Sequence, residues 1–416
     1  MHDDDSESQS YDEEKKKVEE EEIELENSPL LPMTTSTKVL VTGGNGYLGS
    51  HIVYFLLEKG VKVRVSVHNI GDESRYQHLE KLTTNKDRGR LEIVEGVLSD
   101  RDSWYNILAG CDAVIHTASP NPYESPKLEL DLIYPAVEGT LAILHAAERL
   151  GIKRIVLTSC YTAIKGGVHR LTYNEEKWGE PQNITGLEKS KLFAEKAAWF
   201  FQKQHSSKID LTVFCPGLLF GPSIQDHYDF SSGIFFKKFM EGRITSLLQM
   251  HVPICDVRDA ALAHVLALWN PKSFNQRYVC VQNSYWFENF SGVLSREFTS
   301  SEYRFPTKKL SVFPLKLISF FDSGVRNMLE FYGKESFYSN EKIKKDFSMI
   351  FRSFDETLIQ MAEDFIVKGF IGKVSPKECL DEDHDAELNQ KLKRTDNFHS
   401  NHSKSSRSGS NMDGGD

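Results

Sequence analysis

The chain contains 416 residues and carries a formal net charge of −10 at neutral pH. With 39% hydrophobic, 11% aromatic and 26% charged residues, its composition is globular and excludes collagen-like, coiled-coil and disulfide-scaffold classes. At roughly 150 residues per domain, the length fits two or three domains, or one large α/β domain with appendages.

The negative charge is concentrated at the amino-terminal end. Residues 1–26 contain thirteen acidic residues against three lysines, and residues 372–416 sum to −2, which leaves residues 27–371 close to +2. A nearly neutral body argues against a nucleic-acid-binding surface. The acidic tail, 1–36, and the polar tail, 371–416, cannot bury enough apolar surface to offset chain entropy, so both are predicted to be disordered. The acidic tail is a candidate contact for protein partners.

The cysteine pattern and the hydropathy indicate the compartment. Six cysteines are scattered without a Cys-x-x-Cys pair, which is typical of reduced thiols and not of a metal site. The start of the chain is too acidic for a secretory or mitochondrial leader, and no window approaches the roughly 18 apolar residues of a membrane span. We therefore expect a cytoplasmic protein without a transmembrane segment. The short apolar stretch from Phe313 to Phe321 contains Lys316 and is interpreted as buried core or the flank of a substrate loop.

Between the tails, apolar runs alternate with stretches of helical periodicity. The predicted strands are Lys38–Thr42, Lys62–Val67, Leu91–Val94, Ala113–Thr117, Arg154–Thr158 and Leu211–Cys215, and the predicted helices are Tyr47–Lys59, Pro135–Leu150 and Glu188–Gln204. This alternation predicts an α/β fold, a doubly wound parallel-sheet Rossmann domain with helices on both faces.

After Cys215 the alternation becomes irregular, which favours a smaller C-terminal substrate lobe, mainly from residue 216 onward, within a domain spanning 37–370. We predict loops at Gly221–Gly233 and Asn283–Tyr303 and helices near Asp259–Trp269 and Asp355–Gly369. Five aromatic residues of this lobe either line a hydrophobic pocket or belong to its core: Phe235, Phe236, Phe239, Trp286 and Phe287.

The first predicted strand runs into a series of glycines. Gly43, Gly46 and Gly49 recur at intervals of three, immediately before a predicted helix. A dinucleotide pyrophosphate needs close backbone approach and free N–H groups at a helix start, which glycine permits. Because the series lies at the first strand-to-helix turn of an alternating α/β chain, it predicts a dinucleotide site.

The end of the second predicted strand bears on which dinucleotide binds. An Asp or Glu at this point would bind the adenosine ribose of NAD. His68 and Asn69 stand there instead, and Arg75 lies seven residues beyond His68. With no carboxylate to repel a 2′-phosphate, the pattern favours NADP(H), with NAD(H) possible. Arg75 is either a phosphate partner or a solvated helix residue.

Several further blocks occur in a fixed order. They are Gly110 to Pro120 (GCDAVIHTASP), Pro135 to Leu141 (PAVEGTL), Lys153 to Ser159 (KRIVLTS), Lys189 to Trp199 (KSKLFAEKAAW), Pro216 to Pro222 (PGLLFGP) and Asp256 to His264 (DVRDAALAH). Together with the glycine series they resemble the extended short-chain dehydrogenase/reductases, in particular the dihydroflavonol-4-reductase-like group, from about Thr37 to Phe370.

The resemblance implies a cofactor site and a substrate class. The residues that it assigns to the cofactor are Gly43, Gly46, Tyr47, Leu48, Gly49, His68, Arg75, Leu98, Thr117, Ala118, Lys191 and Pro216. The implied substrate is a small apolar or aromatic carbonyl compound or the corresponding alcohol.

In that family a Tyr, a Lys four residues later and a Ser at the end of the fifth strand carry the chemistry. The Tyr hydroxyl transfers a proton at the substrate oxygen, the Lys lowers the phenol pKa and holds the nicotinamide ribose, and the Ser hydrogen-bonds the substrate oxygen. Matching the blocks places Lys191 at the Lys, Leu187 at the Tyr and Cys160 at the Ser. Leucine has no proton to give, and a thiol is a weak donor.

Two tyrosines are candidates to replace the missing donor. Tyr161 directly follows Cys160, and Tyr173 lies in the next loop; each is either a proton donor or a packing residue. Cys160 is either a site thiol or a small buried filler. Lys191 either holds the cofactor ribose or lies on a helix surface.

Other polar residues of these blocks are interpreted as structural. His116 is a core or cofactor-flanking histidine rather than a base, and Asp256, Arg258 and Asp259 form a charge cluster near the second lobe.

Two functions follow from this pattern. The first is an NAD(P)H-dependent oxidoreductase with weak or altered activity, in which Cys160, Tyr161 and Lys191 carry what catalysis remains. The alternative is a catalytically inactive protein that binds the cofactor as a redox sensor or scaffold and acts through partners.

Overall fold

The computed structural model describes residues 36–372 apart from 84–88, 121–125, 127, 207, 299–302 and 321. Nearly all of both predicted disordered tails lies outside the described residues.

Twelve strands and thirteen helices are present in the described part of the chain. The strands are β1 Lys38–Thr42, β2 Lys62–Val67, β3 Leu91–Glu95, β4 Ala113–His116, β5 Arg154–Thr158, β6 Thr172–Tyr173, β7 Asp210–Pro216, β8 Leu218–Phe220, β9 His251–Asp256, β10 Gln276–Cys280, β11 Asn283–Trp286 and β12 Phe337–Tyr338. The helices are α1 Tyr47–Glu58, α2 Gln77–Glu80, α3 Ser103–Leu108, α4 Leu130–Leu150, α5 Thr162–Lys165, α6 Gly186–Gln204, α7 Ser231–Met240, α8 Val257–Ala267, α9 Phe287–Glu297, α10 Val312–Ile318, α11 Ser323–Leu329, α12 Glu341–Phe347 and α13 Phe354–Val367.

Seven strands form one parallel sheet in the order β10-β7-β5-β4-β1-β2-β3. The order reverses between β1 and β4, and ligands bind at such a switch point in open α/β sheets. The six strands predicted from apolar runs are all present, and with the helices around them they confirm the predicted doubly wound fold.

The sheet is apolar on both faces because helices cover both. Val39 and Val41 of β1 pack on the side of α1, α8 and α12, whereas Leu40 packs on the side of α3, α4 and α6. Alternating residues of one strand point to opposite faces, so a strand buried on both sides reads as a continuous apolar run.

A second lobe follows β7. Its sheet has the order β11-β9-β8, and its core contains Phe220, Phe236, Phe239, Phe290 and Phe365. Phe235 and Phe287 pack against this core. Four of the five predicted pocket aromatics therefore belong to the packing of the lobe.

Three sequence predictions about this region need correction. The predicted loop Asn283–Tyr303 contains β11 and α9, because Phe290, Val293 and Leu294 give α9 a buried face. The predicted loop Gly221–Gly233 ends at Phe230, where α7 follows. The interpretation of Phe313–Phe321 as buried core holds for Leu315, which is 8% exposed, and is wrong for Phe313 on α10 and for Phe320, which are 67% and 74% exposed. The alternative, the flank of a substrate loop, stays a prediction.

Candidate active site

The glycine turn lies at the switch point and touches the end of β4. Gly43 has a positive φ of 62°, and a Cβ there would stand 3.0 Å from the Ala118 Cα. A Cβ on Gly49 would lie 2.3 Å from the Gly43 carbonyl oxygen. Glycine is therefore required at Gly43 for backbone conformation and at Gly49 for close packing of α1 on the turn.

The start of α1 has the chemistry of an anion site. Its N-cap residue is Gly46, no side chain caps the helix, and a Cβ on Gly46 would meet only the Gly43 carbonyl, at 3.2 Å. Tyr47, Leu48 and Gly49 form the first turn, whose N–H groups have no partner within a helix. An uncapped helix start beside a glycine turn fits a dinucleotide pyrophosphate.

His116 is a structural histidine at this crevice, as predicted. Its Nδ1 lies 2.7 Å from the Thr42 hydroxyl, and its Nε2 lies 3.2 Å from Thr140 Oγ1, which donates to the Ala136 carbonyl. Thr140 therefore accepts from Nε2–H, and Thr42 donates to Nδ1. Burial, with a smaller contribution from Lys191, lowers the pKa of His116 to about 3, so the ring is neutral.

The Thr117 and Ala118 positions are tied to β1. The Thr117 hydroxyl donates to the Thr42 carbonyl at 2.6 Å, and the Ala118 N–H donates to the Thr42 hydroxyl at 3.1 Å. These bonds hold the loop after β4 against the glycine turn. Leu98 follows β3 and packs on Gly139 of α4. Pro216 is the last residue of β7, and its carbonyl accepts from the Tyr161 N–H.

Lys191 faces a cavity at the ends of β4 and β5. Residues of β4, α4, β5 and α6 line this cavity, among them Ala118, Ser159 and Lys191. Burial lowers the pKa of the Lys191 ammonium, and the nearby Cys160 thiol opposes the shift. Within the described part of the chain the ammonium has no hydrogen-bond partner, so its three donors are open to a ligand.

Leu187 lies in the first turn of α6, one turn before Lys191. Thr185 caps the helix by accepting from the Glu188 N–H, and the Glu188 carboxylate accepts from the Thr185 N–H at 2.8 Å. The capping box fixes the start of α6, so residues 187 and 191 share one helix face. At the position from which a phenol would reach the lysine, this chain has an aliphatic side chain.

The two alternative tyrosines differ in their surroundings. Tyr173 is fully buried, and its hydroxyl donates to the Val168 carbonyl and accepts from the Arg170 N–H, so it is not available to a substrate. Tyr161 packs edge-on against Tyr338 at 5.8 Å between ring centroids. Burial, followed by Cys160 and Glu188, raises the pKa of the Tyr161 phenol. That shift is opposite to the one a proton donor in this chemistry needs.

A buried ion pair between Glu195 and Arg277, which the sequence does not reveal, lies next to the cavity that Lys191 faces. Glu195 of α6 accepts from Arg277 Nε at 2.5 Å and from the Ser159 hydroxyl at 2.6 Å, and its side chain is fully buried. Trp199 Nε1 donates to the same carboxylate at 3.2 Å. The hydrogen bond from Ser159 joins the end of β5, next to Cys160, to the helix that carries Lys191, and the ion pair joins that helix to β10.

Beyond the end of β2, Arg75, the predicted phosphate partner, already has a carboxylate partner. His68 is exposed after β2, and Arg75 ends a short 3-10 turn. The Arg75 guanidinium forms an ion pair with Asp229, and its Nε lies 3.9 Å from Asp72. Asp229 comes from a position 154 residues further along the chain, and no local pattern identifies it.

Asp229 belongs to a crossover segment, which we define as Gly221–Phe230. Gln225 Nε2 donates to the Asn45 carbonyl at 2.7 Å, and the Tyr47 hydroxyl donates to the Gly221 carbonyl at 2.6 Å. The Phe230 ring stacks on Tyr47 at 4.0 Å. The segment therefore runs over the glycine turn and is attached to it at several points.

The charge cluster at the start of α8 is structural, as interpreted from the sequence. Asp256 caps the helix by accepting from the Arg258 N–H and also pairs with the Arg258 guanidinium at 2.6 Å. Asp259 pairs with Arg352. These contacts join β9 and α8 to α13 and its preceding turn.

A second cavity of about 180 Å³ lies in the second lobe. It is lined by residues that include Leu247, Trp286 and Lys309. Among the predicted aromatics, Trp286 alone lines it.

Residues 39–280 match the NAD dependent epimerase/dehydratase family. The chain belongs to this family, and its relatives place it in the dihydroflavonol-4-reductase-like group of reductases.

Two curated relatives come from plants. Anthocyanidin reductase of Vitis vinifera is 31% identical over 323 residues, covering 72% of this chain and 92% of the relative. Cinnamoyl-CoA reductase 1 of Petunia hybrida is 32% identical over 277 residues, covering 65% and 79%. Among solved structures, the yeast methylglyoxal/isovaleraldehyde reductase Gre2 complexed with NADPH superimposes with a TM-score of 0.65 at 25% identity, covering 80% of this chain and 100% of that one.

The sequence predicts neither a membrane span nor a metal site. Among the residues that the structure describes, no helix is long and apolar enough to span a membrane. The same residues contain no cluster of three or more His, Cys, Asp or Glu side chains arranged to hold a metal ion.

Proposed function

We propose that this chain binds NADP(H), with NAD(H) as the weaker alternative, and reduces an apolar or aromatic carbonyl compound slowly. The observation that carries the proposal is the combination of a glycine turn before the uncapped start of α1 with Leu187 one turn before Lys191. The uncapped start of α1 and the required glycines support binding of the pyrophosphate. The loss of the phenol supports the low rate.

When bound, the dinucleotide would supply a hydride to the substrate carbon. Lys191, with its free donors, would hold the nicotinamide ribose, and its position in the cavity beside Ser159 supports that role. A proton must still reach the carbonyl oxygen. Leu187 cannot deliver it, and the Cys160 thiol is a weak donor. Water therefore delivers the proton, or Tyr161 delivers it at a low rate because burial raises the pKa of its phenol. Removing a positioned general acid lowers such rates by about 10²- to 10⁴-fold.

The substrate class is supported by the relatives and by the second lobe. The relatives are named as reductases of cinnamoyl-CoA and of anthocyanidins, which are aromatic compounds. The second lobe is rich in phenylalanine, and Trp286 lines its cavity. The apolar residues that line this cavity, Leu247, Leu248 and Trp286, favour an apolar carbonyl compound over a sugar, and Gln249, Glu288 and Lys309 line the polar part of it.

Leu187 also favours a second candidate function. A fold that keeps the glycine turn for the dinucleotide but has Leu187 in place of the general acid suits a protein that binds NADP(H) and signals the state of the cofactor to partners. In that case no carbonyl substrate would turn over above the uncatalysed rate.

The test compares binding with turnover. Isothermal titration with NADPH and NADH measures the first, and NADPH oxidation with a panel of aromatic ketones and aldehydes measures the second. We expect tight NADPH binding and slow turnover in the wild type. Leu187→Tyr combined with Cys160→Ser should raise kcat by about 10²-fold or more, because it restores the donor. Leu187→Phe with Cys160→Ser is the matched control, since it adds the ring without the hydroxyl.

Several outcomes would contradict the proposal. Failure of the wild type to bind either dinucleotide would remove both candidate functions. Rapid wild-type turnover that persists in Tyr161→Phe would show that another donor operates. Wild-type turnover at the uncatalysed rate, with good NADPH binding, would favour the sensor or scaffold.

A further inference from the structure

We propose that Asp229 is a cofactor-specificity residue, whose carboxylate competes with the 2′-phosphate of NADP(H) for the guanidinium of Arg75. The competition reduces the preference for NADP(H) over NAD(H) that Arg75 would otherwise confer. This inference rests on the proposed function, because it concerns the same dinucleotide site.

The turn that carries Arg75 is attached to the phosphate-binding turn. Asn45 Nδ2 donates to the Arg75 carbonyl at 3.3 Å, so the two turns are hydrogen-bonded to each other. Arg75 is 48% exposed on its side chain, which leaves the guanidinium accessible to a ligand. A guanidinium is the side chain best suited to bind a phosphate through two parallel hydrogen bonds.

The carboxylate that occupies Arg75 remains charged at neutral pH. Burial raises the pKa of Asp229, but the hydrogen bond from Arg75 and the nearby His227 outweigh it, and the pKa lies below its usual range. Asp72 adds a second negative charge 3.9 Å from Arg75 Nε. A dianionic 2′-phosphate therefore approaches an arginine whose charge is already compensated.

Asp229 is also held in place by the crossover segment. Its neighbour Phe230 stacks on Tyr47, and Gln225 is bonded to the Asn45 carbonyl. An exposed ion pair between freely moving side chains is weak. Here the backbone around the carboxylate is anchored to the glycine turn, so less backbone entropy is lost when the pair forms.

The segment offers a matched control for this pair. Asp226 pairs with Lys81 at 2.6 Å, so it joins the same segment to the region beyond Arg75 without touching Arg75. Its hydrogen bond to Lys81 lowers the pKa of Asp226, so this carboxylate is charged too. Asp226→Asn removes an ion pair of the same type and reports on general loosening of the segment.

The experiment measures Kd for NADPH and for NADH by isothermal titration of the full-length protein. Asp229→Asn should tighten NADPH binding by about fivefold, the equivalent of one exposed ion pair at the upper end of its usual strength, and change NADH binding by less than about twofold. Asp226→Asn should leave the ratio of the two Kd values unchanged. In an Arg75→Ala background, Asp229→Asn should have no further effect on that ratio, because the group under competition is gone.

Two results would overturn the inference while leaving the proposed function intact. One is an unchanged Kd ratio in Asp229→Asn, or a ratio shifted toward NADH, which would mean that Asp229 orients Arg75 for the phosphate. The other is an equal shift in Asp226→Asn, which would assign the effect to the segment as a whole. A wild type that binds neither dinucleotide would refute the inference and the proposed function together.

Discussion

The ion pair between Glu195 and Arg277 gives the most direct test of how the site is held together. Arg277 contacts Glu195 through Nε and Nη2, donates to the backbone carbonyls of Glu175 and Lys177, and stacks on the Trp178 ring at 3.8 Å. The side chains of Glu195 and Arg277 are 0% and 6% exposed. Arg277→Met would therefore leave an uncompensated carboxylate in a fully buried position.

The expected cost is that of an unpaired buried charge. Breaking such a pair costs about 3–5 kcal/mol, whereas replacing both partners by apolar groups is often close to neutral. Arg277→Met should lower the free energy of unfolding by that amount, and the double variant Arg277→Met, Glu195→Met should recover much of it. With a urea m-value of about 3 kcal/mol per M, the single variant lowers the unfolding midpoint by about 1–1.7 M.

The assay is urea unfolding followed by tryptophan fluorescence, with NADPH titration on the folded variants. Glu195 also accepts from Ser159 and Trp199, so the double variant leaves those two donors without this acceptor and should not reach wild-type stability. A loss below about 1 kcal/mol in Arg277→Met would refute the reasoning. The reasoning would also be refuted if the double variant lost as much free energy of unfolding as Arg277→Met and Glu195→Met added together.

Two further predictions concern other parts of the fold. Gly49→Ala should abolish NADPH binding and lower the free energy of unfolding in urea by about 1–3 kcal/mol, because its Cβ would lie 2.3 Å from the Gly43 carbonyl oxygen. Gly292→Ala in α9 is the control: a Cβ there has nothing within 4 Å, so the free energy of unfolding should rise by about 0.4–1 kcal/mol. Burial lowers the pKa of His264 to about 4, so between pH 6.5 and 4 the unfolded chain binds a proton that the folded chain refuses. Stability should therefore fall with falling pH by about 1.4 kcal/mol per unit for this group, and His264→Gln should remove that share of the slope. Equal slopes in both proteins would contradict this.

The sheet could be predicted from the sequence because its strands are buried on both faces. Val39–Val41 and Ile155–Leu157 are continuous apolar runs, and each is a strand of the structure. The start of α4 was harder to predict from the sequence than the strands. Pro135 suggests a helix start, but the helix begins at Leu130. Pro135 is the sixth residue of this helix, beyond its first turn, so the helix continues through it with one backbone hydrogen bond fewer.

The site could be predicted only where its residues are close in sequence. Gly43, Gly46 and Gly49 form a local pattern, and α6 explains why Leu187 and Lys191 share a face. The pairing of Arg75 with Asp229 depends on tertiary structure, so the residues at the end of β2 do not reveal the carboxylate that faces Arg75. The preference for NADP(H) stays a prediction, as do the assignments of Cys160 and Tyr161.

The last strand of the parallel sheet has a consequence for how this protein can be divided. β10 pairs with β7, but the chain between them builds β8, α7, β9 and α8. A fragment ending after β7 would expose the unpaired edge of that strand, and such edges promote aggregation. Exchanging the cofactor half with that of a relative, or expressing it alone, therefore requires residues up to Cys280. Because the two lobes are interleaved along the polypeptide, we expect them to unfold together.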